Sequence, residues 1–398
     1  MYNGKAVGEF VADIIVDIGL LFEFWRTRNE NKKSVLGGYK MYKDITIERF
    51  RGIKHLKIED FRQINLFVGK NNCGKTTILE VLFLLTGPTN AGLPLKINSF
   101  RNFNIIDENS WSLFFNKLDI DSNIEISGGL VNPKEKRSLL IKPSIKSVAI
   151  MGKTTIDKKV VDIQDSYSGS TPAVDGLKLE YSLTKSESKT PEKIITGIVA
   201  KDPGIQFEIP KDYKELLRGV FINPTTISGD IDARFNNVQI KKQTNKIIEI
   251  LRQIEPSLDN LSLGANGIIY CDIGLDRLMP VNVMGDGMFR ILSIILSILD
   301  TKNGIVLIDE IENGFYYSSQ EILWDAIFKA AKEFNVQIFA TTHSIECVKA
   351  FSSSCSRLEK DNDEIRLYRV ERKDDDFKIV SYDHKTLEAS LDSDWEVR

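Results

Sequence analysis

Short apolar runs alternate with longer helical segments in two separate parts of the chain, and this alternation predicts a layered fold. The apolar runs cover residues 64–68, 304–308 and 336–340, and helical segments after the first two cover residues 78–85 and 319–334. Near-continuous apolar runs of this length are typical of parallel strands that are covered on both faces. Strands that alternate with helices in this way predict an α/β fold.

The middle of the chain has a different pattern, in which short runs of alternating apolar and polar residues predict β-strands. These runs cover residues 123–127, 138–141, 177–183, 193–200, 205–209 and 219–222. Residues 231–254 instead carry an apolar stripe at helical spacing. We therefore expect residues 96–280 to form a β-rich insertion with one helical segment. Residues 41–95 and 281–398 would be the two sequence halves of the α/β domain.

The first 40 residues differ in composition from the rest and end in a polar, glycine-containing run at residues 26–38. One interpretation is that Met41 is the true start and that residues 1–40 are a leader, either not native or disordered. The other is an amphipathic helix over residues 7–25 that docks on the body of the protein or on a partner. Acidic residues interrupt this segment, which is too short to span a membrane.

Composition narrows the classes of function. The chain has 398 residues, of which 42% are hydrophobic and 27% are charged, and this balance is that of a soluble globular protein. A net charge of −3 gives no general attraction to nucleic acid, so a contact with DNA would require a local basic patch. The four cysteines form no CxxC pair, which favours a reducing, cytoplasmic location. We expect no association with a membrane.

The main chemical signal is the sequence GKNNCGKTT, which lies between the first apolar run and its helix. It matches GxxxxGK[ST], the phosphate-binding loop of nucleotide-binding proteins. Its glycines let backbone N–H groups point at phosphate oxygens, and the following helix adds the positive end of its dipole. The lysine places a charge on the β- and γ-phosphates, and the next hydroxyl can complete a Mg²⁺ shell. The predicted nucleotide-binding residues are Gly69, Lys70, Asn71, Asn72, Cys73, Gly74, Lys75, Thr76 and Thr77.

Two carboxylates, Asp309 and Glu310, end the apolar run at residues 304–308. In a protein with a phosphate loop, the first of them is expected to hold Mg²⁺, together with the Thr76 hydroxyl. The second points the other way and suits polarisation of the attacking water. A carboxylate pair at a strand end is common by itself, so this interpretation depends on the phosphate loop. We predict ATP and Mg²⁺ as the ligands.

His343 follows the next apolar run. A neutral imidazole at this position can contact the γ-phosphate or the attacking water, and so report the state of the nucleotide. A histidine at a strand end is by itself more often structural, but here it follows one strand after the carboxylate pair. The predicted catalytic residues are therefore Lys75, Glu310 and His343.

A glycine-rich turn opens another predicted helix, at residues 291–299. It consists of Gly285, Asp286 and Gly287, hereafter the signature turn, and is a weak signal by itself. The order of phosphate loop, glycine-rich helix start, carboxylate strand and histidine strand resembles the ATP-binding-cassette (ABC) class. In that class the signature of one subunit closes on the ATP that another subunit holds.

Five stretches of the sequence resemble the OLD-type ATPases, which are usually described as AAA-family ATP-binding proteins and are related to RecF- and SMC-type ATPases. The stretches are ERFRGIK, FVGKNNCGKTT, MGDGMFR, IDEIENGF and ATTHSIECVKAF. The resemblance covers both ends of residues 41–398 and is weak across the middle. It implies an α/β fold of the P-loop ABC-type ATPase head, split by the β-rich insertion, with Mg²⁺ at Thr76 and Asp309. It also implies that Arg51 lies near the nucleotide and that the signature turn binds it.

The chain departs from the resemblance in two places. Tyr316 and Tyr317 stand where relatives often carry a histidine. OLD nucleases also carry a C-terminal Toprim nuclease domain, and the residues that follow His343 are too few for one. We therefore expect an ATPase that does not cleave DNA.

Three functions remain open from the sequence. In the first, ATP closes a homodimer or higher homo-oligomer head to head and hydrolysis opens it, as a switch. The resemblance adds a separate effector or antitoxin-type partner, in phage defence or a toxin–antitoxin-like system. The second is a RecF- or SMC-like ATPase that repairs or clamps DNA. The third is a sensor that binds ATP, hydrolyses it negligibly and acts as a scaffold.

Overall fold

The computed structural model describes residues 40–103, 110–131, 134–145, 174–185, 190–201, 204–224, 230–358, 363–373, 376–393 and 395–397. The expectation for residues 1–40 therefore lies, apart from Lys40, outside the described residues. The strands within the described residues are β1 (Tyr42–Phe50), β2 (Ile53–Glu59), β3 (Ile64–Val68), β4 (Ile124–Leu130), β5 (Glu135–Ile145), β6 (Val174–Lys185), β7 (Glu192–Ala200), β8 (Ile205–Glu208), β9 (Gly219–Ile222), β10 (Asn260–Leu263), β11 (Ile269–Asp272), β12 (Met279–Pro280), β13 (Ile305–Ile308), β14 (Gln337–Thr341), β15 (Ile365–Lys373) and β16 (Asp376–Tyr382).

The α-helices of the same ranges are α1 (Lys75–Thr86), α2 (Leu93–Phe100), α3 (Ile231–Ile240), α4 (Thr244–Leu251), α5 (Asp286–Asp300), α6 (Gln320–Phe334), α7 (Ile345–Leu358) and α8 (His384–Asp392). The predicted helical segment at residues 231–254 thus forms two helices. They are separated at Lys242, whose backbone has a left-handed φ of 55° that no α-helix accommodates. None of the described helices has the length and apolar character that a membrane span requires.

The central sheet consists of β16, β15, β3, β14, β13 and β9, in this order. Neighbouring strands in it are parallel, except that β15 and β16 are antiparallel. Every residue of β3, β13 and β14 is buried, as expected for apolar strands that are covered on both faces. Because parallel strands end at the same edge of a sheet, the segments after β3, β13 and β14 meet there. The phosphate loop, the Asp309–Glu310 pair and His343 lie on these segments.

The outer sheet consists of β2, β1, β4, β5, β6, β7 and β8, in this order, and all its neighbours are antiparallel. The alternating runs of the middle region form strands as predicted, but they extend a sheet that β1 and β2 begin. β9, from the same region, pairs with β13 in the central sheet. Each sheet therefore contains strands from more than one of the segments 41–95, 96–280 and 281–398. The outer sheet joins the first two segments because the free edge of β1 pairs with β4.

Helix α1 lies between the two sheets and contacts strands of both. Its residues 77–86 are all buried, including the charged Glu80. One apolar core surrounds α1 between the outer sheet and one face of the central sheet. A second core lies between the opposite face and the helices α3 to α7. The structure thus confirms the predicted α/β fold class, with a phosphate loop between a central strand and a buried helix.

Candidate functional site

A cleft of about 940 Å³ opens at the edge of the central sheet where β3, β13 and β14 end. Most of the residues predicted for the nucleotide site line it. These are Arg51, Asn71, Asn72, Cys73, Gly74, Lys75, Thr76, Thr77, Asp309, Glu310 and His343. Gly69, Lys70 and the signature turn are not among the lining residues.

The phosphate loop is shaped by glycines with left-handed backbones. Gly69 has a φ of 143° and Gly74 a φ of 88°. A Cβ at Gly69 would lie 2.4 Å from the carbonyl oxygen of Val370, so a larger residue does not fit there. The Lys75 ammonium donates hydrogen bonds to the carbonyls of Gly69 at 2.7 Å and Lys70 at 2.9 Å. The loop therefore curls around the lysine charge, which is the arrangement that binds β- and γ-phosphates.

Thr76 and Asp309 meet at the base of the cleft. The Thr76 hydroxyl donates to the Asp309 carboxylate, with oxygen–oxygen distances of 2.9 and 3.1 Å. The Thr341 hydroxyl donates to the same carboxylate at 2.6 Å. Burial raises the pKa of Asp309, and these two hydrogen bonds act against that rise. A hydroxyl and a carboxylate are oxygen ligands of the kind that Mg²⁺ takes, so this pair fits the metal.

Glu310 is exposed beside Asp309, and its backbone has a left-handed φ of 49°. Its N–H donates to the Thr341 hydroxyl at 2.8 Å, and its carbonyl accepts from the Arg290 guanidinium at 2.7 Å. Arg290 is buried on α5. Burial lowers the pKa of Arg290, and the carboxylates of Glu312, Glu310 and Asp309 oppose that effect. Hydrogen bonds to Thr341 and Arg290 therefore hold the Glu310 backbone in the left-handed conformation, which costs free energy for a residue other than glycine.

His343 follows β14, and its exposed side chain lines the cleft. Oε1 of Glu312 accepts a hydrogen bond from the His343 backbone N–H at 3.0 Å and lies 3.0 Å from Nδ1 of its ring. The Glu312 side chain is only 10% exposed. Glu312 thus holds the His343 backbone by a hydrogen bond, and its carboxylate also lies close to the ring.

Arg51 lines the cleft from the turn between β1 and β2, where the resemblance expects a basic residue. It forms an ion pair with Glu80 at 2.9 Å, and Arg101 pairs with the other Glu80 oxygen at 2.6 Å. Arg101 also donates to the Thr77 hydroxyl at 3.3 Å. Burial lowers the pKa of Arg51, and the neighbouring Glu80 charge opposes this. A buried carboxylate of α1 therefore keeps two arginines beside the phosphate loop.

The C-terminal hairpin contributes one wall of the cleft. The Phe377 ring, on β16, packs against the phosphate loop, and a Cβ at Gly74 would lie 3.3 Å from it. Arg372 of β15 lines the same wall. This hairpin thus joins the site although it is far from the phosphate loop in sequence.

The signature turn lies at the N-terminus of α5, outside the cleft of its own chain. Gly285 has a φ of 105°, and a Cβ there would meet no atom of the described residues within 4 Å. A Cβ at Gly287 would lie 3.6 Å from the Gly314 carbonyl, in the loop after β13. The structure therefore does not bring the signature turn to the phosphate loop of the same chain.

Four contributors to the site were not predicted from the sequence, namely Arg290, Glu312, Arg101 and Phe377. Arg290 had a local signal, since it is the only charged residue between the two ends of the apolar helix α5. Glu312 lies two residues after Glu310, in an acidic run. Arg101 and Phe377 had no local signal, because distant segments bring them to the phosphate loop.

The contact between the phosphate loop and a strand-end carboxylate defines the class of protein. A loop hydroxyl beside such a carboxylate is how P-loop nucleoside triphosphatases bind Mg²⁺ with a nucleoside triphosphate. The family model described as AAA ATPase domain matches residues 41–159 and 134–348. The chain belongs to this family and is an ATPase. The family match confirms the AAA-family ATPase that the sequence motifs predicted.

Other known proteins are similar over most of the chain. An ATP/GTP phosphatase of Helicobacter pylori is 24% identical in a match that covers 78% of this chain and 87% of that protein. The SMC head bound to the C-winged helix domain of ScpA has 12% identity and a TM-score of 0.46, covering 86% of this chain and 98% of that chain. The SMC head domain from Thermotoga maritima has 12% identity and a TM-score of 0.43, with coverage of 86% and 98%.

Proposed function

We propose that ATP in the cleft of one copy draws the signature turn of a second copy onto its γ-phosphate, and that hydrolysis releases it. The observation that carries this proposal is the separation of the signature turn from the cleft of its own chain. A glycine-rich helix start that lies outside the cleft of its own chain could contact a γ-phosphate only on another molecule. A second copy of the chain offers one on its exposed phosphate loop.

The start of α5 has the features that a phosphate contact requires. Gly285 and Asp286 are exposed, and the helix that they open is 15 residues long, so that its N-terminal N–H groups and dipole favour an anion. Val283, two residues before the turn, is 65% exposed. Tyr316 and Tyr317, which follow the Gly314–Phe315 segment that lies beside Gly287, are 68% and 61% exposed. Apolar surface of this kind suits burial against a second protomer.

In the cleft, the side chains divide the chemistry of hydrolysis. The Lys75 ammonium neutralises charge on the β- and γ-phosphates. Glu310, with its backbone held by Thr341 and Arg290, accepts a proton from the attacking water. The Glu310 side chain is exposed, whereas the Asp309 carboxylate is buried. His343 contacts the γ-phosphate or the water and reports the loss of the phosphate.

Mg²⁺ would be held by the Thr76 hydroxyl and the Asp309 carboxylate. When bound, it supplies positive charge to the β- and γ-phosphate oxygens. The raised pKa of Asp309 supports this assignment, since burial outweighs the two hydrogen bonds and the Arg101 charge that lower the pKa, and a bound cation would stabilise the ionised carboxylate.

The test compares molecular mass by light scattering for Glu310→Gln with ATP, for Glu310→Gln with ADP, and for Glu310→Gln/Gly287→Arg with ATP. Loss of the catalytic base slows turnover ~10²–10⁴-fold, so the ATP complex persists. We expect a dimer or larger assembly only in the first sample. A Cβ at position 287 would lie 3.6 Å from the Gly314 carbonyl oxygen, which is ordinary contact, so Gly287→Arg introduces no clash at the β-carbon. Equal mass in all three samples contradicts closure through the signature turn.

We further propose that a separate effector protein reads the closed state, as in the stand-alone ATPases that the motifs resemble. The experiment isolates the full chain carrying Glu310→Gln from its native host with ATP and identifies bound proteins by mass spectrometry. The same variant with Gly287→Arg is the control. A protein that binds the first and not the second supports the proposal. Binding of duplex DNA, with faster ATP turnover in the wild type, would favour the DNA-clamping alternative.

A further inference from the structure

The C-terminal hairpin, formed by β15 and β16, lies beside the phosphate loop on the side away from the carboxylate pair. In the central sheet, β15 and β16 lie on one side of β3, whereas β14 and β13 lie on the other. The carboxylate pair and His343 follow β13 and β14. Arg369 of β15 is level with Val68, the last residue of β3, so residues 370–373 continue past the end of β3. The phosphate loop therefore has the metal-binding pair on one side and the hairpin on the other.

Phe377 brings an aromatic ring to the hairpin side of the cleft. Its side chain is half-buried and lines the cleft. A Cβ at Gly74 would lie 3.3 Å from the ring, and a Cβ at Gly52 would lie 3.8 Å from it. The ring is therefore close both to the phosphate loop and to the turn between β1 and β2. Because both neighbours are glycines, no side chain of theirs separates the ring from the phosphate loop.

The hairpin is fixed where it carries this ring. Arg372 and Phe377 are directly opposite each other in the ladder between β15 and β16. Opposite side chains lie on the same face of an antiparallel pair, and both of these line the cleft. The Asp376 carboxylate accepts hydrogen bonds from the backbone N–H groups of Phe377 at 3.0 Å and of His55 in β2 at 3.3 Å. One face of the hairpin therefore faces the cleft, and β2 supports it.

A nucleoside triphosphate has its γ-phosphate at one end and its base at the other. Lys75 and the Thr76–Asp309 pair draw the β- and γ-phosphates towards the ends of β13 and β14. The base then leaves the phosphate loop on the side of β15 and β16, where the Phe377 ring lines the cleft. Aromatic side chains bind bases by stacking, because every base has a flat π-face.

We propose that Phe377 is the base platform of the cleft, on which the adenine or guanine ring of a purine nucleoside triphosphate stacks while the phosphate loop holds the phosphates. The inference rests on the proposed function, which places the nucleotide in this cleft. Stacking uses the flat face of the base and not its hydrogen-bonding edge, so the platform accepts adenine and guanine alike. The ring contributes affinity for the base and none for the phosphates.

The test measures the affinity of the full chain for Mg²⁺–ATP, Mg²⁺–GTP and Mg²⁺–tripolyphosphate by calorimetry. Tripolyphosphate offers the phosphates without a base. Phe377→Leu keeps an apolar side chain beside both glycines and removes the ring. We expect this variant to bind ATP and GTP ~5–100-fold more weakly, the range for the loss of one stacked base, and to bind tripolyphosphate as the wild type does. Phe377→Trp keeps a ring and should bind both nucleotides as tightly as the wild type.

Three further variants serve as controls. Lys75→Ala should weaken the binding of all three probes, because it removes a charge that acts on the phosphates. Trp395→Leu replaces an aromatic residue that is 71% exposed and is not among the residues that line the cleft, and it should bind all three probes normally. Leu118→Ala changes another apolar side chain of the cleft, which is 58% exposed. A loss of nucleotide affinity in Leu118→Ala but not in Phe377→Leu would overturn the proposal.

A spectroscopic measurement detects the stacking itself. The fluorescent base analogue 2-aminopurine, used as its nucleoside triphosphate, loses emission when it stacks on an indole ring. At saturating nucleotide we expect stronger quenching by Phe377→Trp than by the wild type or by Phe377→Leu. Equal emission with all three proteins overturns the proposal. This measurement also decides the outcome if tripolyphosphate binds too weakly for calorimetry or if Phe377→Leu does not fold.

The outcomes separate this inference from the proposed function. If Phe377→Leu binds ATP and GTP as the wild type does, or loses affinity for tripolyphosphate to the same degree, the base platform is wrong while nucleotide binding at the phosphate loop stands. If the wild type binds none of the three probes, both proposals fail. The measurements depend on binding alone, so a failure of ATP-driven closure between two copies leaves the base platform intact. Melting temperatures check the fold of each variant.

Discussion

The hydroxyl of Thr76 lies 2.9 Å from a carboxylate oxygen of Asp309, although 233 positions separate the two residues in the chain. Thr76 lies at the start of α1, directly after the phosphate loop, and Asp309 directly follows β13. β14 lies between β3 and β13 in the central sheet, and all three strands are parallel. The contact therefore follows from strand ends that share one edge, and it joins the phosphate loop to the carboxylate pair that follows β13.

Replacement of Lys75 by alanine should abolish ATP binding and leave the fold intact. The ammonium donates to the Gly69 and Lys70 carbonyls and to the Cys73 sulfur, all within its own loop, so its replacement removes the charge expected to bind the phosphates and, within the described residues, breaks no hydrogen bond to another element. Calorimetric titration with Mg²⁺–ATP measures the loss, and the melting temperature checks the fold. Lys54→Ala, an exposed lysine on β2, is the matched control and should bind ATP as the wild type does. Undiminished affinity in Lys75→Ala would contradict the phosphate-loop assignment.

Replacement of Asp309 by asparagine should stabilise the protein in the absence of Mg²⁺ and nucleotide, and abolish Mg²⁺-dependent turnover. Burial raises the pKa of this carboxyl, so its ionised form opposes folding at neutral pH. Asp309→Asn removes this buried negative charge, so it should raise the free energy of unfolding by roughly 0.5–2 kcal/mol. Urea unfolding in EDTA at pH 7 measures the difference.

The pH dependence of that difference gives a second check. Because the folded-state pKa of Asp309 is raised, wild-type stability falls as pH increases from the unfolded-state value, about 3.9, through the higher folded-state value. The advantage of Asp309→Asn should therefore be largest at neutral pH and disappear below about pH 4. An advantage that does not change with pH would mean that ionisation of Asp309 is not its cause.

Replacement of Arg290 by alanine should lower kcat ~10–100-fold while ATP affinity stays close to that of the wild type. The guanidinium holds the Glu310 carbonyl at 2.7 Å and does not line the cleft, so its loss disturbs the catalytic carboxylate and not the phosphate loop. Arg290→Lys should recover little, because an ammonium lacks the planar, multi-donor geometry of guanidinium. Arg357→Ala, an exposed arginine on α7, serves as the control in the same steady-state assay.

Replacement of Arg137 by alanine should destabilise the protein by ~3–5 kcal/mol, because it takes the cation from the buried Glu215 and leaves the buried Glu135 with Lys40 at 3.5 Å. Arg137 is 1% exposed and pairs with Glu135 at 2.7 Å and Glu215 at 3.0 Å. Arg49→Ala removes an exposed pair with Glu125 from the same sheet and should cost under ~1 kcal/mol. Denaturant titration measures the free energy of unfolding of both variants. Similar losses of stability in the two variants would show that burial of the ion pair does not control its contribution.

The sequence predicted those parts of the site that depend on a few adjacent residues. The phosphate loop is one continuous segment, and the apolar runs before Lys75 and before Asp309 are long enough to predict buried strands. Parallel strands end together, so the sequence also favoured a shared site for Thr76, Asp309 and His343. Local spacing determines such features because the backbone of a single strand–loop–helix unit creates them.

The tertiary structure alone decided which distant side chains complete the site and how the strands pair. Alternating patterns predicted β4 to β8 as strands, but strand pairing depends on backbone hydrogen bonds between remote segments, and these joined them to β1. Packing between elements brings Phe377 to the wall of the cleft, and brings Arg290 and Glu312 against Glu310 and His343, which no local periodicity encodes. The sequence therefore determined that the protein is a P-loop ATPase. The packing of the two sheets around α1 determined which distant side chains hold the phosphate loop and the carboxylate pair in place.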